Sequence, residues 1–216
     1  RMSAPLYIHD FALCSALGSD KKTIWQALKN GTRPAFVQKK FREKERYVVE
    51  IPQSSLPQVK DAYYDNHVNR LSEEVLSQME TSVCEAVKEF GADRIGVFIG
   101  SSDNGSEASL AGLDSFQKTG SYPKKYELKM QQADFAAEYI AKRFGLTGPI
   151  FTHSSACASS ASAFASARNW LEAGFCDAAI VGGVDIATET VVLGFDSLEA
   201  VSLSPTIPFS KNRTGL

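Results

Sequence analysis

The sequence has 216 residues, enough for one large domain or two small ones with a sizeable core. Hydrophobic residues make up 44%, aromatic residues 10% and charged residues 22%, which excludes collagen, coiled coils and disordered chains. The 23 Lys and Arg against 25 Asp and Glu give a net charge of −2, too balanced to predict nucleic acid or an anionic membrane as partner. No apolar run is long enough to span a bilayer and none opens the chain, so we expect a cytoplasmic protein.

The chain contains four widely separated cysteines, Cys14, Cys84, Cys157 and Cys176. None has the Cys or His spacing that closes around zinc, so we expect no metal site and no bound cofactor. A chain of this size does not need disulfides for stability, which favours free thiols in a reducing compartment. Each cysteine is then either a packing residue or a nucleophile.

The first half of the chain predicts two strands and a short capped helix, over Leu6–Cys14, Tyr47–Ile51 and Lys21–Asn30. Between Leu71 and Phe90, apolar residues recur every three or four positions, and Gly91 follows. This spacing predicts one long amphipathic helix that ends at the glycine. Cys84 lies beside the apolar stripe, so we expect it to be a small core thiol.

The second half has the pattern of an α/β sheet. The continuous apolar run Ile95–Gly100 predicts a buried parallel strand, and the polar loop Ser101–Gly105 follows it. Open α/β sheets bind ligands at the carboxyl ends of their strands, so this loop is a candidate to line a crevice. It carries no phosphate-binding signature, which disfavours a nucleotide site. Alternating helices and strands follow, including a βαβ unit, over Gln131–Phe144, Ile150–Thr152, Ala158–Ala173 and Ala178–Val181.

Cys157 stands where a thiol is activated, in the first turn of a predicted helix directly after a strand. The positive end of a helix dipole favours thiolate, and the free backbone N–H groups there can hold an anion. The residues around it, from Ala156 to Ser162, are small, so an acyl chain could approach the Cys157 sulfur. We expect this helix to lie in a packed interior and the sulfur to face a cavity. The alternative is a buried structural thiol, as most buried cysteines are.

Several motifs stand in a fixed order along the chain: Arg94–Ser102, Ser155–Ser160, Gly182-Gly183, Gly194-Phe195 and Pro208–Gly215. In sequence and separation they resemble the β-ketoacyl-acyl-carrier-protein synthases. The resemblance runs from about Leu6 to the last residue. It implies a thiolase-like α/β fold in which residues 1–216 form the N-terminal half, with βαβ units and a mixed sheet covered by helices on both faces.

The resemblance also implies a function, with Cys157 as the nucleophile that holds an acyl thioester and Phe195 as a substrate-binding residue. A malonyl group on an acyl carrier protein is decarboxylated and attacks that thioester, giving a 3-oxoacyl product for fatty-acid or polyketide-type synthesis. The implied partners are the carrier protein and a second copy or a related subunit, which we expect to pair through Ala178–Val181.

In this family two histidines and a lysine of the site belong to the C-terminal half, which is absent from this chain. None of the chain's own three histidines replaces them: we expect His153 to be satisfied by the turn before Cys157, and His9 and His67 to be structural or solvated. We therefore expect the chain alone to be inactive in condensation.

Some positions depart from the family pattern. Thr214 replaces a common aspartate, and Asp196 and Glu199 stand where a basic residue is frequent. Because carrier proteins are acidic, those two charges would repel one. Lysines at positions 118, 124, 125 and 129 could attract it instead, although a solvated helix or loop surface is the favoured explanation of them.

Two other functions stay open. A chain-length-factor type of subunit keeps the fold and pairs with an active synthase but lacks the cysteine, so Cys157 argues against it. A thiolase or coenzyme-A-dependent synthase would use the same cysteine. The residues around Cys157 and the Pro208–Arg213 segment fit that class less well.

Overall fold

A computed structural model describes residues 5–103 and 105–216. Arg1–Ala4, and Asn104 of the predicted loop, lie outside the described residues. The strands are β1 (Val37–Phe41), β2 (Lys44–Val48), β3 (Ile95–Gly100), β4 (Ile150–His153) and β5 (Ala178–Gly183). The helices are α1 (Lys21–Lys29), α2 (His67–Gln78), α3 (Glu80–Phe90), α4 (Ser106–Thr119), α5 (Phe135–Phe144), α6 (Ser159–Glu172) and α7 (Glu189–Ser197).

A three-stranded sheet organises the chain, in the order β4-β3-β5 with all three strands parallel. The predicted buried strand Ile95–Gly100 is confirmed as its central strand, and all six residues are buried. The segment β4-α6-β5 is the predicted βαβ unit. The antiparallel strands β1 and β2 form a separate hairpin.

The two faces of β3 carry different side chains because successive residues of a strand point to opposite sides. Ile95, Val97 and Ile99 belong to a large core cluster with residues of α2 and α5. On the other face Phe98, which is fully buried, packs with Ala163 and Ala167 of α6. Helices therefore cover both faces of the sheet, as the sequence predicts.

The predicted N-terminal strand is wrong for the residues described. Leu6–Cys14 makes no strand pairing there, and the side chains of Leu6, Tyr7 and Ile8 are exposed. A strand's backbone groups must bond to a neighbouring strand. In the described part of the chain this segment has no such neighbour, so its apolar pattern alone does not make it a strand.

The predicted long helix is two helices, α2 and α3. The break is at Met79, whose backbone (φ −108°, ψ 4°) leaves the helical region. Beside it, the Gln78 side chain donates to the backbone oxygens of Ser19 and Glu74. After the break, Val83 is the buried residue of α3, and Cys84 is exposed. The prediction of a core thiol at Cys84 is therefore wrong.

Other element boundaries differ by a few residues or were not predicted. The strand expected over Tyr47–Ile51 is β2, the second strand of a hairpin that the sequence did not predict. A 3₁₀ turn over Leu128–Gln131 precedes α5, which starts four residues later than expected. Helices α4 and α7 were also missed. Among the described residues, none of the helices is both long and apolar enough to cross a membrane.

His67, expected in a polar loop, is the first residue of α2 and joins three parts of the chain. Its Nε2 lies 2.8 Å from the backbone oxygen of Ile51, and its Nδ1 lies 3.9 Å from Glu107 Oε1. A carbonyl oxygen only accepts, so Nε2 donates and Nδ1 is the atom that gains a second proton. The Glu107 carboxylate therefore raises the pKa of His67 above its ordinary value.

We expect Glu107→Gln to lower the pKa of His67 and to flatten the pH dependence of stability. Since the pKa of His67 is raised in the folded state, its attraction to Glu107 stabilises the fold below the unfolded-state pKa and is lost as pH rises through the folded-state pKa. The free energy of unfolding, measured with urea from about pH 6 to about pH 8, should be lower for the variant than for wild type at the low-pH end. At the high-pH end the two free energies should be equal. Glu43→Gln, at an exposed pair with Lys40, is the control. Parallel curves for wild type and Glu107→Gln would contradict this.

Candidate active site

Cys157 lies in a tight connection between β4 and α6. Strand β4 ends at His153, a 3₁₀ turn covers Ala156–Ala158, and α6 begins at Ser159. The N–H groups of Ala158 and Ser159 donate to the carbonyl oxygens of Ser155 and Ala156 within this turn, which leaves the N–H of Cys157 as the candidate to bind a developing anion. The predicted position of Cys157, after a strand and at a helix start, is confirmed. Its role as nucleophile stays a prediction.

The helix behind Cys157 is buried on one face only. Ser159, Ala163 and Ala167 face the sheet and are buried, whereas Phe164 is 51% exposed. The Cys157 side chain is also exposed. The expectation that the whole helix lies in the interior is therefore wrong for this chain, because the described residues supply a sheet on one side of α6 and no layer on the other.

The turn itself has an unusual backbone. Ala156 has φ +50°, in the left-handed region that disfavours a residue with a Cβ by about 1–2 kcal/mol. The Ser159 hydroxyl donates to the Ala156 carbonyl oxygen at 2.6 Å and accepts from the Ser155 N–H at 3.0 Å. Hydrogen bonds therefore tie the backbone on the N-terminal side of Cys157 to the first residue of α6.

Two glycines let the first turn of α6 lie directly on the ends of two strands. A Cβ on Gly100, the last residue of β3, would overlap backbone atoms of Ser159 and Ser160. A Cβ on Gly183, the last residue of β5, would overlap the Ser160 hydroxyl. Glycine in a strand often marks such a close backbone approach. The position of the Cys157 turn therefore depends on the absence of side chains at both strand ends.

The loop after β3 is held against the end of β5 by polar contacts. One oxygen of Asp185 accepts from the Ser102 N–H at 2.9 Å and from the hydroxyls of Ser101 and Ser102 at 3.3 and 3.1 Å. Asp103 is buried and accepts from Ser106 at the start of α4. Burial raises the pKa of Asp103 above its ordinary value. The polar loop thus stands at the carboxyl ends of parallel strands, where the sequence predicts it.

Two of the cavities that the described residues line lie away from this turn. One, of about 300 Å³, is lined by Cys14, His67, Glu107 and Asp185 among others. The other, of about 640 Å³, is formed by the C-terminal residues from Thr206 to Leu216. Cys157 lines neither cavity, so neither meets the expectation that its sulfur faces one. Within residues 5–103 and 105–216, no group of three or more His, Cys, Asp and Glu side chains is arranged to hold a metal ion.

Phe195, the predicted substrate-binding residue, lies on α7 and is 40% exposed. Helix α7 packs against α4 and β1. The neighbouring Asp196 is buried and paired with Lys44 and Arg46 of β2, which hold the pKa of its carboxyl below the usual range. Because those cations neutralise it, the expectation that Asp196 would repel an acidic partner is wrong.

The four lysines considered for carrier binding are not equivalent. Lys118 pairs with Asp114 at 2.7 Å, and Lys129 pairs with Glu138 at 2.6 Å. The two lysines at positions 124 and 125 lie on an exposed turn. Among the described residues, neither of these two lysines has a carboxylate at ion-pair distance, so they are the two of the four that offer positive charge to a partner.

The remaining predicted residues do not join Cys157. His9 is exposed. The Nε2 of His153 is buried without a hydrogen-bond partner among the residues described, so the turn does not satisfy this nitrogen as expected. Cys176 is buried against Phe98. At the C-terminus, Thr214 bonds to the Ser202 hydroxyl at 2.6 Å in the place where the family commonly has an aspartate.

Sequence reasoning missed Ser159, Gly100 and Gly183 as parts of the site. The glycines had a recognisable signal, since each ends an apolar run that predicts a parallel strand. Ser159 had none, because the sequence around Cys157 contains several serines and nothing distinguishes the one whose hydroxyl turns inward.

We expect Gly183→Ala to displace the first turn of α6 and to slow alkylation of Cys157 by iodoacetamide, with a loss of about 1–3 kcal/mol in stability from overpacking. Adding Ser160→Gly to this variant removes the side chain that the new Cβ overlaps, so most of the alkylation rate and most of the stability should return. Gly182→Ala is the matched control, because a Cβ there meets nothing within 4 Å. If Gly182→Ala and Gly183→Ala behave alike, the close approach does not position the turn.

Comparison with known proteins agrees with this geometry. The family model of the β-ketoacyl synthase N-terminal domain matches residues 8–216. The chain is 26% identical to 3-oxoacyl-[acyl-carrier-protein] synthase 2 of Staphylococcus aureus, over 93% of the chain and 53% of that protein. It is 30% identical to nodulation protein E of Rhizobium sp. (strain N33), over 59% of the chain and 32% of that protein. It thus spans about half the length of the synthase.

Solved structures give the same result. A ketosynthase (ApeO) in complex with its chain length factor (ApeC) from Xenorhabdus doucetiae superposes with a TM-score of 0.86 at 30% identity, over 97% of this chain and 54% of that one. A β-ketoacyl synthase from Burkholderia phymatum STM815 gives 0.70 at 25% identity, over 94% and 53%. The implied thiolase-like α/β fold is confirmed, and the chain belongs to the β-ketoacyl synthase family, matching its N-terminal domain.

Proposed function

We propose that this chain is the N-terminal half of a β-ketoacyl-acyl-carrier-protein synthase and that Cys157 is its nucleophile. The observation that carries the proposal is the placement of Cys157 in a constrained turn at the start of α6, in a chain of the β-ketoacyl synthase family. Of the four cysteines, Cys157 alone combines exposure with a strand-to-helix turn.

In the first step the Cys157 thiolate attacks the carbonyl carbon of an acyl thioester. A new S–C bond forms, and the thiolate of the donor leaves. The negative charge that develops on the carbonyl oxygen is stabilised by the backbone N–H of Cys157, in the turn directly before α6. This stabilisation lowers the reaction barrier because the charge develops only in the transition state and is absent from the bound substrate.

In the second step a malonyl group on a carrier protein loses carbon dioxide, and the resulting carbanion attacks the acyl carbon on Cys157. A C–C bond forms and the Cys157 thiolate leaves, so the product is a 3-oxoacyl thioester two carbons longer. The family resemblance assigns the histidines and lysine for this step to a C-terminal half. Of the chain's own histidines, His67 is occupied by Ile51 and Glu107.

The proposed partners are an acidic acyl carrier protein and a second subunit. Exposed lysines at positions 124 and 125 support carrier binding. A structural neighbour at 30% identity is described as a ketosynthase in complex with its chain length factor, which supports pairing with a second copy or a related subunit. The surface we propose for this pairing is β5, an edge strand of the three-stranded sheet. The four free thiols support a reducing compartment, the cytoplasm.

In the complete protein, we expect Cys157→Ser to reduce 3-oxoacyl product by at least about 10³-fold, because the covalent intermediate is lost. Cys84→Ser, at another exposed thiol, is the matched control and should retain activity. Product formed from an acyl donor and malonyl carrier protein is measured by mass spectrometry, with far-UV circular dichroism to verify folding. Wild-type rates in Cys157→Ser would refute the proposal, and activity with acyl-coenzyme A in place of the malonyl carrier would favour a thiolase-type enzyme.

For the 216-residue chain alone, we expect acyl transfer to Cys157 to be slow and condensation to be absent. The turn and its backbone donors are local to this chain, whereas the groups for decarboxylation are proposed to lie outside it. The acyl donor is offered first and malonyl carrier protein second, and each adduct is followed by mass. A 3-oxoacyl product from this chain alone would show that the residues for the second step lie within it.

A further inference from the structure

We propose that Ser159 is a positioning residue, whose side-chain hydroxyl fixes the turn that presents Cys157. The inference rests on the proposed function only in taking Cys157 as the nucleophile. Its basis is a pair of hydrogen bonds that bracket the cysteine without touching its sulfur.

The hydroxyl of Ser159 is used as both donor and acceptor. It donates to the Ala156 carbonyl oxygen at 2.6 Å and accepts from the Ser155 N–H at 3.0 Å. The Ser159 backbone N–H donates to the same Ala156 oxygen. Ser159 is only 3% exposed, so it makes these bonds away from competing water, where leaving a donor or acceptor unpaired is most costly.

The turn needs this support because Ala156 has a left-handed backbone (φ +50°). Alanine gains nothing from its side chain in that conformation, so neighbouring contacts must maintain it. The Ser159 hydroxyl binds the carbonyl of Ala156 itself. Loss of the hydroxyl would let Ala156 relax toward a right-handed conformation and would rotate the Cys157 peptide.

The backbone of Ser159 cannot move to compensate for a change in the turn. The backbone of Ser159 is pressed against Gly100, where there is no space even for a Cβ. The backbone of Ser159 is therefore held in place on the sheet. Its hydroxyl in turn holds Ser155 and Ala156, the residues before Cys157, by hydrogen bonds. Because Cys157 is already exposed, loosening the turn adds little access to the sulfur and removes the alignment of nearby N–H groups.

The test compares three variants by the rate at which iodoacetamide alkylates Cys157, resolved by peptide mass spectrometry against Cys84 in the same molecule. We expect Ser159→Ala to slow Cys157 by about five-fold, the change that one typical net hydrogen bond makes in an equilibrium, with Cys84 unchanged. Ser159→Thr keeps the hydroxyl and should restore the rate. Ser155→Ala, which loses only a bond between the Ser155 and Ser162 hydroxyls at 2.9 Å, should match wild type.

Equal Cys157 rates in wild type and Ser159→Ala, or the same loss in Ser155→Ala, would overturn the proposal. If Ser159→Thr fails to fold, Ala156→Gly in the Ser159→Ala background decides. Glycine adopts the left-handed conformation without a Cβ penalty, so the rate should recover, and no recovery would overturn the proposal. Alkylation needs no acyl donor, so failure of wild type to accept an acyl group would refute the proposed function and leave this comparison valid.

Discussion

The structure depends on the direct contact between the first turn of α6 and the ends of β3 and β5. Because Gly100 and Gly183 carry no side chains, backbone atoms of Ser159 and Ser160 lie close to Gly100, and the Ser160 hydroxyl lies close to Gly183. The contact sets the depth of α6 on the sheet, and Phe98, Ala163 and Ala167 extend the same packing along the helix. Small residues on α6 and glycines on the strands are thus two parts of one steric fit.

This fit has a chemical consequence. A helix held by its backbone at a strand end cannot shift without breaking the sheet contact, so the connection before it is short and strained at Ala156. The Ser159 hydroxyl adds polar bonds at that point, to the Ala156 carbonyl oxygen and the Ser155 N–H. The result is a thiol whose surroundings are set by main-chain geometry and by one short buried side chain, that of Ser159.

The sequence predicted those elements whose signal is local. Ile95–Gly100 is a continuous apolar run and is buried along its whole length, and α6 differs from its predicted bounds by one residue at each end. Predictions failed where a residue's environment depends on contacts far along the chain. Leu6–Cys14 has no strand beside it in the described chain, and Cys84 turns outward after the break at Met79. The charge of Asp196 is neutralised by a hairpin about 150 residues earlier. Nothing in the local pattern records such contacts.

The central claim is that this geometry, and not exposure alone, selects Cys157 among the four thiols. The most direct measurement offers the protein a limiting amount of an acyl-carrier-protein thioester and maps the acyl group to individual cysteine peptides. The account predicts the adduct on Cys157, with none on Cys84 although that thiol is also exposed. An acyl group spread over Cys84 and Cys157 alike, or found on Cys14, would contradict it.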